Sequence, residues 1–114
     1  VALTDTDEEN GCPWVMPGLH QRGTLFHDST DLGHEIPLDA SESIPLPLKA
    51  GSIAIFSSLT PHRTGPNLSE GIRKSYILQY APEGSKRVIS QSLREDLNDE
   101  TRQFLILKDG KEVN

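Results

Sequence analysis

The stretch GSIAIFSSLTPHRTGPNLSEGIRKSYILQY, residues 51–80, decides the fold of this chain. It predicts a strand at residues 52–57, a loop that carries His62, and a second strand at residues 72–80. Both faces of SIAIFS are apolar, which is typical of a strand buried on each side. The second strand alternates between polar and apolar residues and carries Arg73 near its start.

His62 and Arg73 have the chemistry of a binding site. Pro61 stiffens the backbone just before His62, and a neutral imidazole there is a good ligand for Fe(II) or another first-row metal. Arg73 can bind a carboxylate through two parallel hydrogen bonds, and Ser75 shares its strand face and can donate another. The alternative is that His62 caps a loop while Arg73 makes a surface ion pair. Residue spacing alone leaves both interpretations open.

Composition limits the class of protein. With 114 residues the chain forms one domain at most, and its net charge of −6 and isoelectric point near 5.1 disfavour nucleic acid or an anionic membrane as a partner. No apolar run approaches the roughly 20 residues of a membrane span. Cys12 is the single cysteine, so we expect it to be a buried small apolar residue in a reducing, cytoplasmic setting.

The segments before and after the first loop predict short strands. Residues 1–5 (VALTD) and 12–16 (CPWVM) are expected to pair as a hairpin around an acidic turn that ends in Asn10-Gly11. That acidic turn is expected to be solvated rather than to bind a cation, because it lacks the ligand spacing of a calcium loop. Residues 44–48 (IPLPL) contain two prolines and can form only an edge strand or an extended segment.

Residues 19–43 predict a long irregular loop, a candidate lid or substrate-facing wall. His20, His27 and His34 are spaced seven apart in it, which invites a zinc interpretation. No cysteine or acidic partner stands at ligand spacing, and the glycines disfavour a helix, so we do not expect these three to form a zinc site.

The rest of the chain, residues 81–114, predicts a weakly structured tail. A short helix followed by an extended segment is expected within residues 96–107 (DLNDETRQFLIL). Because helical periodicity is scarce and short strands with Gly/Pro turns dominate, the fold class is all-β, a sandwich or barrel.

Three runs of sequence resemble the phytanoyl-CoA dioxygenase family. They are ENGCPWVMPGLHQRG at residues 9–23, LKAGSIAIFSSLTPHRTGPN at residues 48–67 and IRKSYILQY at residues 72–80. The most specific element is a histidine followed by ten residues and then an arginine, which here are His62 and Arg73. The resemblance covers roughly residues 1–80.

The resemblance implies a fold, an activity and roles for residues. Members are non-haem Fe(II)/2-oxoglutarate-dependent dioxygenases with a double-stranded β-helix (jelly-roll, cupin-like) core. By similarity His62 would be the distal histidine ligand of the iron, and Arg73 would bind the far carboxylate of 2-oxoglutarate with help from Ser75 or Thr64. The substrate would be a small organic or acyl compound, hydroxylated with O₂. Trp14 is a further candidate for facing the substrate, as are His20 and His27.

One family feature is missing from this sequence. The resemblance implies a His-x-Asp pair as the first two metal ligands, but the four histidines are followed at the second position by Arg22, Ser29, Ile36 and Thr64. We therefore expect the chain to be the C-terminal portion of such an enzyme, inactive alone and dependent on a missing N-terminal half of the same domain. The alternatives are a jelly-roll binding or structural module without catalysis, or a cupin-type metalloprotein, for which further ligands are not seen.

Overall fold

The computed structural model describes residues 1–31, 33–90, 92–97, 99, 101 and 103–113. The chain divides into two compact units, Val1–Ile77 and Leu78–Asn114. The regular structure of the described residues consists of short β-strands and two turns of 3₁₀ helix, so the all-β expectation is confirmed. No β-sheet formed by these residues closes into a barrel.

The first unit contains five strands and both 3₁₀ turns among its described residues. In chain order these are β1 (Pro13–Val15), a 3₁₀ turn (Leu19–Arg22), β2 (Asp28–Thr30), β3 (Gly33–Glu35), a 3₁₀ turn (Ala40–Glu42), β4 (Ile44–Pro45) and β5 (His62–Thr64).

The central sheet of the first unit has the order β4-β1-β5, with antiparallel pairing throughout. Val15 lies opposite both Ile44 and His62. Residues directly opposite in an antiparallel ladder share a face, so Val15 and His62 lie on the same side of the sheet. Trp14 and Arg63 share the other side, where the Arg63 guanidinium stacks 5.2 Å from the centre of the indole ring.

The predicted hairpin between residues 1–5 and 12–16 is wrong, although β1 forms within the second of these segments. Residues 1–6 pair instead with distant parts of the chain, through isolated bridges from Ala2 to Ser75 and from Thr6 to Leu48. Ala2 and Thr6 are almost fully buried, with 2% and 4% of their surface exposed. Burial against distant segments therefore outweighs the local turn signal.

The acidic turn itself is closed by its own side chains. Asp7 N–H donates to Asn10 Oδ1 (3.0 Å), and Asn10 N–H donates back to Asp7 Oδ1 (2.8 Å). Gly11 ends the turn with φ +82°, in the left-handed region that favours glycine. A Cβ at Gly11 would lie 2.5 Å from the carbonyl oxygen of Gly65, so glycine also permits the close approach of the two backbones.

The proline-rich segment lies at the edge of the sheet, as predicted. β4 pairs only with β1 in its sheet, and Pro45 lies opposite Trp14. A proline lacks the N–H that a central strand would need on its second side, so this position suits it.

The buried strand predicted at residues 52–57 is wrong. The segment is irregular, and Ile53 and Ile55 expose 61% and 90% of their surface. Backbone pairing reaches it at Ser52, whose carbonyl accepts from Ala2 N–H at 2.9 Å. A strand with two apolar faces is buried only if other elements cover both, and the described part of this chain leaves these side chains uncovered.

The second strand, predicted at residues 72–80, is not formed as a ladder. This segment forms a bridge at Ser75 and exchanges backbone hydrogen bonds with the first residues of the chain. Leu3 N–H donates to Lys74 O (3.0 Å), Tyr76 N–H donates to Val1 O (2.9 Å), and the Val1 amino group donates to Tyr76 O (2.8 Å). The extended conformation was therefore predicted correctly, but the extent of pairing was not.

Residues 19–43 are more regular than a long loop. They contain the antiparallel hairpin β2–β3, in which Ser29 lies opposite His34. Asp39 caps the 3₁₀ turn at Ala40–Glu42 by accepting from Ser41 N–H at 2.9 Å. The expectation of an irregular segment is wrong for these positions, while residue 32 lies outside the described residues.

Cys12 is the most deeply buried side chain of the first unit, with 0% exposed. Burial raises the pKa of its thiol above the ordinary value, because the charged thiolate is poorly solvated there. This confirms the expectation of a buried cysteine. Ala2 and Val15 complete the buried apolar set among the described residues, so the core is small.

The second unit consists of two described hairpins, one formed by β6 (Lys86–Val88) with β7 (Arg94–Asp96) and one formed by β8 (Leu107–Lys108) with β9 (Lys111–Glu112). Where a short helix was expected, Asp99 and Gln103 form a β-bridge instead. Residues 98, 100 and 102 of the expected helix lie outside the described part. No described helix in either unit is long and apolar enough to cross a membrane.

Replacing Gly11 by alanine tests the close approach to Gly65. We expect Gly11→Ala to lower the free energy of unfolding by about 1–3 kcal/mol more than Gly18→Ala does, measured by urea denaturation. Gly18 is a matched control, since its φ of +84° is nearly the same but a Cβ at this position would have no atom within 4 Å. Equal losses in the two variants would show that the backbone approach contributes nothing beyond the left-handed conformation.

Candidate functional site

His62 is positioned by the residues just before it in the chain. Thr60 is buried, and its N–H donates to Ser57 O at 2.9 Å, which forms a turn ahead of β5. The carbonyl of Thr60 lies 2.9 Å from Nδ1 of His62. A carbonyl oxygen only accepts hydrogen bonds, so Nδ1 carries the proton in the neutral ring and Nε2 keeps its lone pair. This is how a metal-binding imidazole is commonly oriented.

An apolar cavity of about 360 Å³ adjoins His62. Its lining residues are Val15, Pro17, Gly18, His20, Leu46, Ile55, Phe56, Ser57 and Thr60.

Three residues of this lining connect the cavity to the imidazole. Phe56 places its ring 4.8 Å from that of His62, Val15 lies directly opposite His62 in the sheet, and Thr60 holds Nδ1. The imidazole of His62 is not itself part of the lining, so these three residues separate it from the cavity.

Arg73 lies in the extended segment that pairs with the first residues of the chain. Its Nη1 donates to Ser75 Oγ over 3.4 Å, so the predicted pairing of these two side chains on one face is present. Nε of Arg73 is buried and has no hydrogen-bond partner among the described residues. A buried N–H without a partner is costly, and a bound carboxylate would satisfy it.

The guanidinium of Arg73 also lies near the beginning of β1. The pKa of Cys12 is raised chiefly by burial, and the positive charge of Arg73 acts on it in the opposite direction. Cys12 immediately precedes Pro13 of β1, and Val15 at the other end of this strand lies opposite His62.

Thr64 lies on the same face of β5 as His62. Thr64 is opposite Pro13 and His62 is opposite Val15, and alternate residues of a strand point to the same side. Thr64 and Ser75 thus accompany the two central candidates, Thr64 beside the histidine and Ser75 beside the arginine.

The other candidates are separated from His62 to different degrees. His20 lines the cavity, whereas Trp14 lies on the opposite face of the sheet under Arg63. His27 belongs to the segment that leads into the β2–β3 hairpin and contacts His34. Within the described residues, no three side chains among His, Cys, Asp and Glu form a group able to hold a metal ion.

The sequence analysis did not single out Phe56 or Thr60. Phe56 was predicted to belong to a buried strand. The role of Thr60 depends on its backbone carbonyl, which every residue has, so residue type does not reveal it. One signal in the sequence could have predicted the hydrogen bond between His62 and Thr60. Thr60 lies two residues before His62, with Pro61 between them, and side chains often bond to a backbone group at this separation.

Comparison with known proteins identifies the class of this domain. The family model described as Phytanoyl-CoA dioxygenase (PhyH) matches residues 1–75, which include His62 and Arg73. The chain therefore belongs to the phytanoyl-CoA dioxygenase family. No solved structure gives a significant match.

Individual relatives agree with this assignment. Methylphosphonate hydroxylase of Gimesia maris is 34% identical over 80 residues, covering 70% of this chain and 31% of that protein. Phytanoyl-CoA dioxygenase 1 of Oryza sativa subsp. japonica is 32% identical over 84 residues, covering 68% of this chain and 30% of that protein. Phytanoyl-CoA dioxygenase domain-containing protein 1 of Danio rerio is 31% identical over 86 residues, covering 67% of this chain and 30% of that protein.

The chain thus spans about 30% of the length of these curated relatives, at 31%, 30% and 30% of each.

The tautomer of His62 is directly testable. We expect long-range ¹H–¹⁵N correlation spectra, recorded where the ring is neutral, to show the proton on Nδ1 and a bare Nε2, because Thr60 O accepts from Nδ1. His27 is an internal reference, since its Nδ1 lies 3.0 Å from the carbonyl of Leu25. A spectrum with the proton on Nε2 of His62 would contradict the placement of this side chain.

Proposed function

We propose that this chain is part of a non-haem Fe(II)/2-oxoglutarate-dependent dioxygenase that hydroxylates a small organic substrate. His62 is one iron ligand, and Arg73, assisted by Ser75 and Thr64, binds the far carboxylate of 2-oxoglutarate. The observation that carries the proposal is the buried, unpartnered N–H of Arg73. Membership of the family supports it independently.

The residues around Arg73 suit a carboxylate. A guanidinium offers N–H groups in a planar fork that matches the two carboxylate oxygens, and Arg73 is half-buried, where such a bond is screened less by water. Ser75 is close enough to Nη1 to orient the guanidinium and to donate its own hydroxyl proton. These features support 2-oxoglutarate as the co-substrate of this site.

His62 is the single candidate iron ligand that the described residues provide at this site. His62 offers Nε2, but one imidazole does not hold Fe(II), and the described residues supply no second and third ligand beside it. We propose that a His-x-Asp pair from a segment outside these 114 residues completes the metal site. The short coverage of the relatives is consistent with this.

The exposed apolar side chains support the same proposal. Ile53, Ile55, Ile72 and Ile77 each expose 61% or more of their surface. Soluble proteins rarely leave such surface uncovered. We propose that the remaining half of the domain covers it and closes the sheets into a double-stranded β-helix.

The chemistry divides between cofactor and chain. When bound, Fe(II) with O₂ and 2-oxoglutarate supplies the oxidation, in which a substrate C–H becomes C–OH while 2-oxoglutarate becomes succinate and CO₂. Arg73 holds one end of 2-oxoglutarate and so fixes its orientation. Thr60 fixes the His62 ring through Nδ1, which keeps Nε2 free for the metal.

The substrate is proposed to enter the cavity beside His62. The lining is apolar apart from His20, Ser57 and Thr60, so a compact organic molecule with one polar group fits its chemistry.

The non-catalytic module gains no support from the comparisons, in which the relatives are named as a hydroxylase and as dioxygenases. The buried, unpaired thiol of Cys12 supports a reducing, cytoplasmic location.

Substitutions in the intact enzyme test the two central residues. We expect His62→Ala to abolish iron-dependent succinate release, and Arg73→Ala to raise the 2-oxoglutarate concentration for half-maximal rate by roughly 30-fold or more, which corresponds to hydrogen bonds worth about 2 kcal/mol. Arg73→Lys should raise this concentration less than Arg73→Ala does, because lysine keeps the positive charge but cannot form two parallel hydrogen bonds to a carboxylate.

Arg63→Ala is the matched control for these variants. Arg63 lies on the same strand as His62, but its guanidinium stacks on Trp14 on the other face, so the requirement for 2-oxoglutarate should stay unchanged. Normal turnover by His62→Ala would refute the metal assignment. An equal effect of Arg63→Ala and Arg73→Ala would refute the carboxylate assignment.

The 114-residue chain by itself should not bind Fe(II) tightly. A single imidazole at His62 leaves most coordination positions to water, so calorimetry under anaerobic conditions should show no submicromolar site. Submicromolar affinity that His62→Ala abolishes would mean that the chain contains the further ligands, and the proposal that another segment supplies them would then be wrong.

A further inference from the structure

The β2–β3 hairpin brings two histidines together away from His62. The rings of His27 and His34 lie edge to face, with their centroids 4.7 Å apart and their planes at 64°. His34 lies opposite Ser29, and His27 precedes Ser29 by two positions, so both imidazoles are on one face of the hairpin. His34 is exposed and His27 is half-buried, so solvent reaches the pair.

The hydrogen bonds of both rings leave Nε2 open. Nδ1 of His27 lies 3.0 Å from the carbonyl oxygen of Leu25, so this nitrogen carries the proton of the neutral ring. Nδ1 of His34 lies 3.4 Å from Ser29 Oγ. Neither Nε2 has a hydrogen-bond partner among the described residues. The ring of His27 therefore presents a bare Nε2, and the ring of His34 does so in the tautomer in which Nδ1 donates to the Ser29 hydroxyl.

The separation of the rings fits two ligands of one ion. Imidazole nitrogens bind zinc at about 2.0–2.1 Å, so two neighbouring ligands in a tetrahedral site place their ring centroids about 5 Å apart. The observed 4.7 Å is close to this value. Without an ion the same arrangement would be a weak ring contact on an exposed hairpin, where it buries little surface.

We propose that His27 and His34 form a two-imidazole binding site for a first-row divalent cation of the copper(II) and zinc(II) type. Two neutral imidazoles suit these ions better than Mg²⁺ or Ca²⁺, which prefer oxygen ligands. Water fills the remaining positions. The site is independent of the proposed iron centre, because it uses neither His62 nor any residue that lines the cavity.

Zinc titration of the 114-residue protein tests this site by calorimetry. We expect one zinc equivalent to bind, and His27→Ala and His34→Ala each to weaken its affinity by about tenfold or more, since loss of a ligand costs at least as much as loss of an outer-shell partner. His20→Ala is the matched control, an exposed histidine of the same region that should bind zinc as the unaltered protein does.

Copper(II) gives a second, site-resolved measurement. Substoichiometric Cu(II) should broaden the ring proton signals of His27 and His34 before those of His20 and His62, while Mg²⁺ should leave all four unchanged. The proposal is overturned if His20→Ala or His62→Ala weakens zinc binding as much as the hairpin variants do, or if copper broadens the four histidines equally. His62→Ala also keeps this test separate from the iron proposal, in which His62 is the ligand that this chain supplies.

Discussion

The antiparallel pairing of β1 with β5 is the interaction on which the rest of the first unit depends. The pairing places Val15 directly opposite His62 and so determines which side of the sheet carries the imidazole. A shift of one residue would exchange the two faces and turn His62 toward the side now occupied by Trp14 and Arg63. The stacking of Arg63 on Trp14 therefore helps to specify the register as well as to cover the far face.

The same pairing explains why the candidate site combines residues that are far apart in sequence. β1 runs from the turn at Gly11, whose close approach to Gly65 sets the start of the ladder. At one end of the ladder lie Cys12 and the charge of Arg73, and at the other lies His62 with the cavity.

Several local features around the candidate site were predictable, because they depend on residue types and short spacings. The His62–Arg73 spacing, the shared face of Arg73 and Ser75, the edge position of Pro45 and the burial of Cys12 all follow from local rules, and the structure agrees with the last three. The errors have one cause. The hairpin at the beginning of the chain and the buried strand around Ile55 were inferred from local patterns, whereas pairing partners and burial are decided by segments distant in sequence.

The sequence by itself determined the all-β class, the chemistry of His62 and Arg73, and the absence of a His-x-Asp pair in these residues, since each of these depends on residue identity and short spacing. Only the tertiary structure decided that Thr60 and Phe56 orient the imidazole, that Nε of Arg73 is buried without a partner among the described residues, and that His27 and His34 meet. Backbone carbonyls, burial and ring contacts depend on how distant segments come together, and no single stretch of sequence encodes them.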